Sequence, residues 1–569
     1  MMRCGNEWDA VIIGSGAGGG PLALSLARAG LQVLVLEKGP RYRREDYRRE
    51  DRHREDRHRE DGRREDGRPE NQQPEGRRQG CRREDSQRPA PDPAEIAPGA
   101  QARSVGLREE DFFPDVETDP HTVVTPKTVR PLRTALGWGA VCVGGGTVHM
   151  GGYFYRFHPD DFRMRERFGA VEELADWPYS YAELEPYYCR AEQEVGVSGL
   201  GGETPFEGPR SEPYPMPPLG AHPVANKVRE ACWGRGMHPF PTPRAVNSRP
   251  RHGRPACDYC TTCAGLGCPM GARGTSQEAF IDRAEATGNC EVRPNCQVAR
   301  ILLDAQGRAA GCVYFDAGGR EVEVLGKIVC VCCAAIESAR LLLLSRCDRF
   351  PRGLANGSGR VGKHLQFHAV SMGVGRLEGA VPSDHPFVGV SVLDHYFLPP
   401  EIGQLAKGGV IRYTRVPELE PLHLSFEIFH DFLPNARTFV ELDDEVTDAF
   451  GLPVARIHLD RPEHHVEAGE WLLDRAFEVL VDLGAEELMA TDIGGTSSYL
   501  VQGTCRAGLD PKTSVLDSYC QTHEVPNLFV VDGSFMPTSG GAPPTLTIIA
   551  NSLRTADSIL ARWTGGELR

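Results

Sequence analysis

A short apolar run, Asp9–Ile13, is followed directly by Gly14-Ser-Gly16-Ala-Gly-Gly19 and then by a helix-tolerant run, Pro21–Arg28, carrying Leu22, Leu24, Leu26 and Ala27. A second apolar run, Leu31–Leu36, closes the unit. Glycines spaced this way between a strand and a helix restrict the fold severely. The first permits a tight turn, the second lets a pyrophosphate approach the backbone, and the third lets helix and strand pack closely. The helix N-terminus then offers free N–H groups to an anion. Glu37 ends the second strand eighteen residues after Gly19, where a carboxylate can accept hydrogen bonds from ribose hydroxyls. The segment reads as a βαβ dinucleotide site, and by itself it does not choose between NAD and FAD.

At 569 residues the chain exceeds what one core serves, so two domains are expected. A net charge of −15 argues against nucleic acid or an anionic membrane as partner and favours a small-molecule substrate. No apolar run is long enough to span a bilayer, and the glycine unit begins too early for a secretory leader, so a cytoplasmic protein is expected. Its 18 cysteines are then read as thiols or metal ligands before disulfides.

From Arg41 the sequence changes character, with Arg-Glu-Asp recurring at positions 44, 49, 54, 59 and 64. Each five-residue step turns a helix by roughly 140°, so the repeat builds no apolar face. Residues 41–108 read as a solvated insert, either an exposed helix laced by Glu–Arg pairs or disordered chain. Ordered patterning resumes near Phe112. Strand-like runs occur at Val298–Leu303, Gly311–Phe315 and Ile328–Ala335, and further strands lead to a helical segment over Trp471–Leu483. Near the C-terminus Asn527–Val531 is a strand ending in Asp532-Gly533. A Pro- and Gly-rich loop leads from it into a helix near Thr545, with Leu546, Ile549, Ala550, Leu553 and Ile559 at helical spacing.

Taken in order, Gly14–Gly19 with Glu37, Gly144-Gly-Gly-Thr147-Val-His-Met150-Gly-Gly, Ala335-Ile-Glu-Ser-Ala-Arg-Leu-Leu, Gly503-Thr-Cys-Arg, and Asn527–Ser534 with Pro544-Thr-Leu-Thr-Ile resemble the glucose–methanol–choline (GMC) oxidoreductases. The resemblance implies an α/β fold. A discontinuous Rossmann-like FAD-binding domain (1–40, 109–165, 240–369 and 491–569) would accompany an α+β substrate domain and cap (166–239 and 370–490) built on an antiparallel sheet. It implies an extended FAD, with the adenosine end at Glu37 and Val298 and the pyrophosphate at Gly14, Gly16 and Gly19. The flavin would lie near Gly144, Gly145, Thr147, Met150, Asp532, Gly533 and Thr545. It also implies hydride transfer from a CH–OH carbon of a sugar, polyol or other alcohol, with an acceptor protein or quinone as possible electron partner.

One feature separates this chain from the family pattern. The base histidine three residues before Gly-Thr-Cys is Leu500, and the His or Asn before Pro-Thr is Pro543; neither side chain accepts a proton. Tyr499 and His149 are the neighbouring groups able to assist catalysis, although both suit structural roles as well. Alternatively, the protein is a catalytically altered FAD-binding scaffold or partner subunit, or it uses another base for C–H oxidation or desaturation. Cys257-x2-Cys260-x2-Cys263-x4-Cys268-Pro approaches the iron–sulfur spacing with one residue more before the last cysteine, and it resembles the Cys-rich loop of a subgroup of the family that includes cluster-bearing sugar dehydrogenases. An iron–sulfur electron relay, a structural zinc and plain thiols all remain open. Cys330, Cys332 and Cys333 read as small core residues, and His364 and His368 as packing or solvent-facing histidines.

Overall fold

The computed structural model describes residues 7–47, 112–137, 139–260, 265–379, 388–402, 407–416, 422–461 and 463–569, with backbone only at 416 and 497–499. The charged repeats beyond 47, Cys263 and the Tyr499 side chain lie outside the described residues.

The first sheet orders its strands β6 (Cys290–Arg293), β2 (Val33–Leu36), β1 (Glu7–Ile13), β9 (Glu321–Val331), β8 (Ala309–Phe315) and β7 (Gln297–Leu303), with β17 (Leu528–Val530) also on β9. β6, β2, β1, β9 and β17 run parallel, and β7, β8 and β9 form an antiparallel meander. Ala10–Ile13 and Val33–Leu36 are buried throughout, as parallel strands covered on both faces must be. The long β9 does both jobs. Its first half, Glu321–Leu325, pairs with β8, and its apolar second half pairs with β1 and β17. The strand expected over Ile328–Ala335 therefore starts earlier and ends at Val331, because the chain must turn at 332–334 to enter the helix Ala335–Leu344.

The second sheet, β16 (Glu486–Thr504), β10 (Lys363–Arg376), β13 (His423–His430), β12 (Gly409–Val416), β11 (Val390–Val392) and β5 (Phe240–Pro241), is antiparallel. One face buries Leu424, Phe426, Ile428, Ile411 and Tyr413 with Leu472, Ala476 and Leu480 of the helix His464–Asp482. That helix begins seven residues before the Trp471 expected from the sequence. His464–Glu470 offers no apolar stripe to read, yet it docks through Gly469, where a Cβ would stand 2.8 Å from Gly494 N. A third sheet orders β14 (Phe439–Thr447), β15 (Pro453–His458), β3 (His121–Val124) and β4 (Leu132–Thr134). The domain boundaries expected at 369/370 and 490/491 fall within the continuous strands β10 and β16.

Residues 41–47, which the charge pattern assigns to the solvated insert, are part of the packed structure. Tyr47 is buried with Phe112, Cys142 and Val148, and Tyr42 packs on the same cluster. The charges flanking these aromatics conceal them from a composition reading. Among the described residues no helix is long and apolar enough to cross a membrane.

Candidate active site

One cavity of about 660 Å³ runs between the two sheets. Its wall begins at the turn after β1. Gly14 has φ +99°, and a Cβ there would lie 2.3 Å from the Cys332 carbonyl oxygen, so only glycine fits. A Cβ on Gly19 would lie 2.0 Å from Gly14 O, and one on Gly18 only 1.7 Å from Val531 O. Gly18 thus presses the first helix onto the end of β17, and Ser552 Oγ donates to Gly18 O at 2.6 Å from the C-terminal helix Thr545–Thr564. The N-terminal glycine turn and the distant Asp532-Gly533 terminus meet in space.

Ser15 joins three parts of this wall. Its N–H and Oγ both donate to Glu37 Oε2, at 3.1 and 2.6 Å, while Gly144 N donates to its Oγ at 2.9 Å. Gly39 N supplies Glu37 Oε1 at 3.1 Å. Burial pushes the Glu37 carboxyl up, against the downward pull of the Ser15 and Gly39 donors. The second glycine segment faces the first: a Cβ on Gly145, φ +55°, would lie 3.1 Å from Gly16 Cα. Thr147 Oγ1 donates to Gly144 O and accepts from Ser276 N, each at 2.7 Å, fixing the tight turn. Asp532 is buried at the β17 end, where Ser534 N donates to Oδ1 and Ser338 Oγ to Oδ2; burial raises its carboxyl against these donors.

Of the residues singled out in the sequence, Gly14, Gly16, Glu37, Gly145, Thr147, His149, Met150, Val298, Leu500, Asp532, Gly533, Pro543 and Thr545 line this one cavity. Gly19 and Gly144 stand behind the wall and shape it. His149 packs against Phe112 and Phe113, with ring centroids 6.1 and 5.2 Å away. Burial, with the Arg273 charge adding to it, lowers His149 to about 4, so the imidazole is neutral at neutral pH. Cys332 and Cys333, read from sequence as plain core, also line the cavity, because the chain turns there beside Gly14.

At the other end the wall consists of Leu500, Val501, Pro543 and Phe429. The loop Met536–Pro544 behind it is held by its carbonyls. Gln366 Nε2 donates to Pro537 O at 3.2 Å, and His368 Nε2 to Ala542 O at 2.8 Å. Gln502 Nε2 donates to His368 Nδ1 at 3.1 Å, which fixes the neutral tautomer. Burial, against the raising effect of the Ala542 carbonyl, lowers His368 to about 4. His364 and His368 thus lie on β10 and are buried, instead of facing solvent.

Sequence reasoning missed Glu427, Tyr153 and Ser15. Ser15 lies inside the glycine motif, where a hydroxyl one residue after the turn is a signal of more than a spacer. Glu427 and Tyr153 also line the cavity, and Arg412, 3% exposed at its side chain, pairs with Glu427 Oε2. The guanidinium carbon of Arg412 sits 3.8 Å from the Tyr153 ring centroid.

The cysteine loop packs beside this wall. Arg273 Nη1 donates to Val148 O at 2.7 Å and Leu266 O at 2.9 Å, and Gly265 reaches the cavity. Cys257 and Cys268, however, share a small apolar cluster with Val246 and Ala272, and Cys260 is half-buried. Among the described residues, which do not include Cys263, no three His, Cys, Asp or Glu side chains converge to hold a metal ion. Spacing brings cysteines near one another without fixing where each thiol points.

A Rossmann-type turn joined to a second glycine segment and an Asp-Gly strand end defines an FAD-binding flavoprotein. Residues 132–370 and 434–552 match GMC oxidoreductase family models, and 9–45 matches an FAD binding domain. The chain belongs to the GMC oxidoreductase family. It is 34% identical over 436 residues to the 6'''-hydroxyparomomycin C oxidase of Streptomyces lividus, covering 74% of this chain and 79% of that protein. It is 33% identical over 451 residues to the 2-methyl-1,2-propanediol dehydrogenase of Mycolicibacterium austroafricanum, covering 74% and 81%. It is 30% identical over 589 residues to the fructose dehydrogenase large subunit of Gluconobacter japonicus, covering 97% of each. The solved formate oxidase of Aspergillus oryzae, at 13% identity, superposes over 100% of both chains with a TM-score of 0.65 and shares the fold.

Proposed function

We propose that this protein oxidises a CH–OH group of a small polar alcohol, and that the cavity residues named above hold FAD for that reaction. The observation carrying this reading is the single cavity that joins the Gly14–Gly19 turn and Glu37 to Gly145–Met150 and to Asp532, Gly533 and Thr545. When bound, FAD accepts the hydride that leaves the alcohol carbon. The chain's residues do the rest. Glu37, fixed by Ser15 and Gly39, presents a carboxylate to the ribose end, and the N-termini of the helices Gly19–Arg28 and Thr545–Thr564 favour negative charge at the phosphates and the flavin. Leu500, Val501, Pro543 and Phe429 exclude water beside the reacting carbon. His149, a neutral imidazole on the wall, is one group able to take up the hydroxyl proton, with Tyr153 also on the wall. The relatives named for 2-methyl-1,2-propanediol and for fructose support a substrate with more than one hydroxyl.

A second reading follows from Leu500 and Pro543, which line the cavity at the two places where the family pattern has proton-handling side chains. On that reading the protein holds FAD and serves as a partner subunit. Anaerobic addition of diols and sugars to purified protein separates the two. Bleaching of the bound flavin with matching formation of a carbonyl product supports oxidation. Bound flavin that no alcohol reduces leaves the partner reading, and protein without flavin removes both.

A further inference from the structure

The face of the second sheet turned to the cavity carries one carboxylate that the reaction just described does not use. β13 alternates: Leu424, Phe426 and Ile428 enter the core beneath the helix His464–Asp482, and Glu427 and Phe429 face the cavity. Its partner β12 sets Arg412 opposite Glu427 and Val410 opposite Phe429. Arg412 is buried, donates to Glu427 Oε2, and lies against the Tyr153 ring. The guanidinium therefore steers Glu427 without meeting the cavity itself. The Glu427 side chain keeps 31% of its surface exposed, and among the described residues nothing donates to Oε1. A charge-paired carboxylate with one oxygen turned to a cavity accepts hydrogen bonds from a ligand and repels an anion.

The sheet also supplies a ruler. Val410 N donates to Gly541 O at 3.0 Å, so the Val410–Phe429 pair marks the level of the loop carrying Pro543. Glu427 stands two residues further along β13, about 7 Å away at the usual rise of a strand. We propose that Glu427 is a specificity-determining residue, whose Oε1 accepts a hydrogen bond from a second donor group of the substrate, a hydroxyl or an ammonium, roughly 7 Å from the reacting carbon. This inference rests on the alcohol-oxidation reading and narrows it. Polyols and amino sugars fit, and simple monoalcohols and sugar acids do not.

The test uses the flavin-loaded protein and its Glu427→Gln and Glu427→Leu variants. The ligands are a polyol, an amino sugar and a monoalcohol, each also supplied with the reacting hydroxyl replaced by hydrogen so that it binds without turning over. The readout is the ligand-induced change in flavin absorbance, set beside KM and kcat for the oxidisable forms. Glu427→Gln keeps a side-chain oxygen and loses the charge, so it weakens the amino sugar by about tenfold and the polyol much less. Glu427→Leu weakens both by about tenfold or more and leaves the monoalcohol unchanged, with the loss in KM and not in kcat. Unchanged binding of all three ligands to both variants overturns the assignment. If Glu427→Leu strands Arg412 and the protein loses its flavin, the Glu427→Gln variant decides through the amino sugar alone. Failure of the underlying reading is distinct: the parent protein then holds no flavin, or no alcohol reduces it.

Discussion

Around the glycine turns the cavity wall engages Glu37 and Ser15 with close partners, whereas around Leu500 and Pro543 it hides its polar atoms. At the first end both oxygens of Glu37 and the Ser15 hydroxyl are engaged within 3.1 Å, and close backbone contacts at Gly14, Gly18 and Gly19 leave no freedom. At the second end the lining is apolar, and the imidazoles and amides lie one layer behind it. Several are incompletely satisfied: Gln366 Oε1, Gln502 Oε1, Asp431 Oδ2 and both ring nitrogens of His430 have no partner among the described residues. The first arrangement suits a fixed ligand met by backbone, and the second suits a wall whose loop is positioned from behind. Three prolines, Pro537, Pro543 and Pro544, leave that loop without three N–H donors, and Gln366 and His368 meet two of its carbonyls.

The contrast predicts unequal tolerance to substitution. Gly14→Val forces a branched side chain into φ +99° and against the Cys332 carbonyl, so it costs about 4 kcal/mol or more. Denaturant unfolding and flavin content of the purified protein report it, and a flavin-loaded variant of parental stability breaks the comparison. Glu37→Ala ranks next. It leaves the Ser15 and Gly39 donors unpaired in a buried site and costs about 2–3 kcal/mol. FAD titration of the stripped protein should show affinity falling by at least about tenfold, since each 1.4 kcal/mol is a factor of ten.

This asymmetry also decides what the sequence could reveal. The glycine unit, Glu37, Asp532-Gly533 and Thr545 were readable because each obeys a local rule: a positive φ, a close approach, a strand end, a helix start. Tyr47 was not, because its burial depends on Phe112, which is remote in sequence. Glu427 was hidden for another reason. The alternation of His423–His430 is plain, but which face meets the cavity is settled only by pairing with β12 and by the helix His464–Asp482. The cysteine spacing suggested ligands; Cys257 and Cys268 share an apolar cluster with Val246 and Ala272, and Cys263 lies outside the described residues. Ligand geometry needs side-chain direction, which spacing does not carry.

The hidden layer makes the protein sensitive to acid. Burial, with the His368 and His464 charges adding to it, lowers His430 to about 3, against the ordinary value of 6.5. Between those values the unfolded chain binds a proton that the folded one refuses, so stability is full above pH ~6.5 and falls as pH drops toward ~3. The contribution is up to about 1.4 kcal/mol per pH unit. His430→Leu should therefore be neutral or stabilising at pH 7, since it removes two unpaired ring nitrogens from the core, and it should flatten the acid slope by one histidine. Urea midpoints measured from pH 7 to 5 check both signs. A steeper slope in the variant would show that His430 is charged in the folded protein.

The smallest effect is the most informative about chemistry. If Leu500 and Pro543 only exclude water, Leu500→Ala and Pro543→Ala change the anaerobic rate of flavin reduction by less than about tenfold, well short of the 10²–10⁴ expected for loss of a general base. His149→Phe keeps the ring packing with Phe112 and Phe113 but removes the proton acceptor, so it should lose about 10²-fold in that rate with flavin content unchanged. Its folded value of about 4 gives a second signature: in the parent, activity is constant above that pH and declines as pH falls through it, and the decline disappears from the residual rate of the variant. Equal rates in parent and His149→Phe would move the proton-accepting role to another group on the cavity wall, where Tyr153 is the next to be replaced.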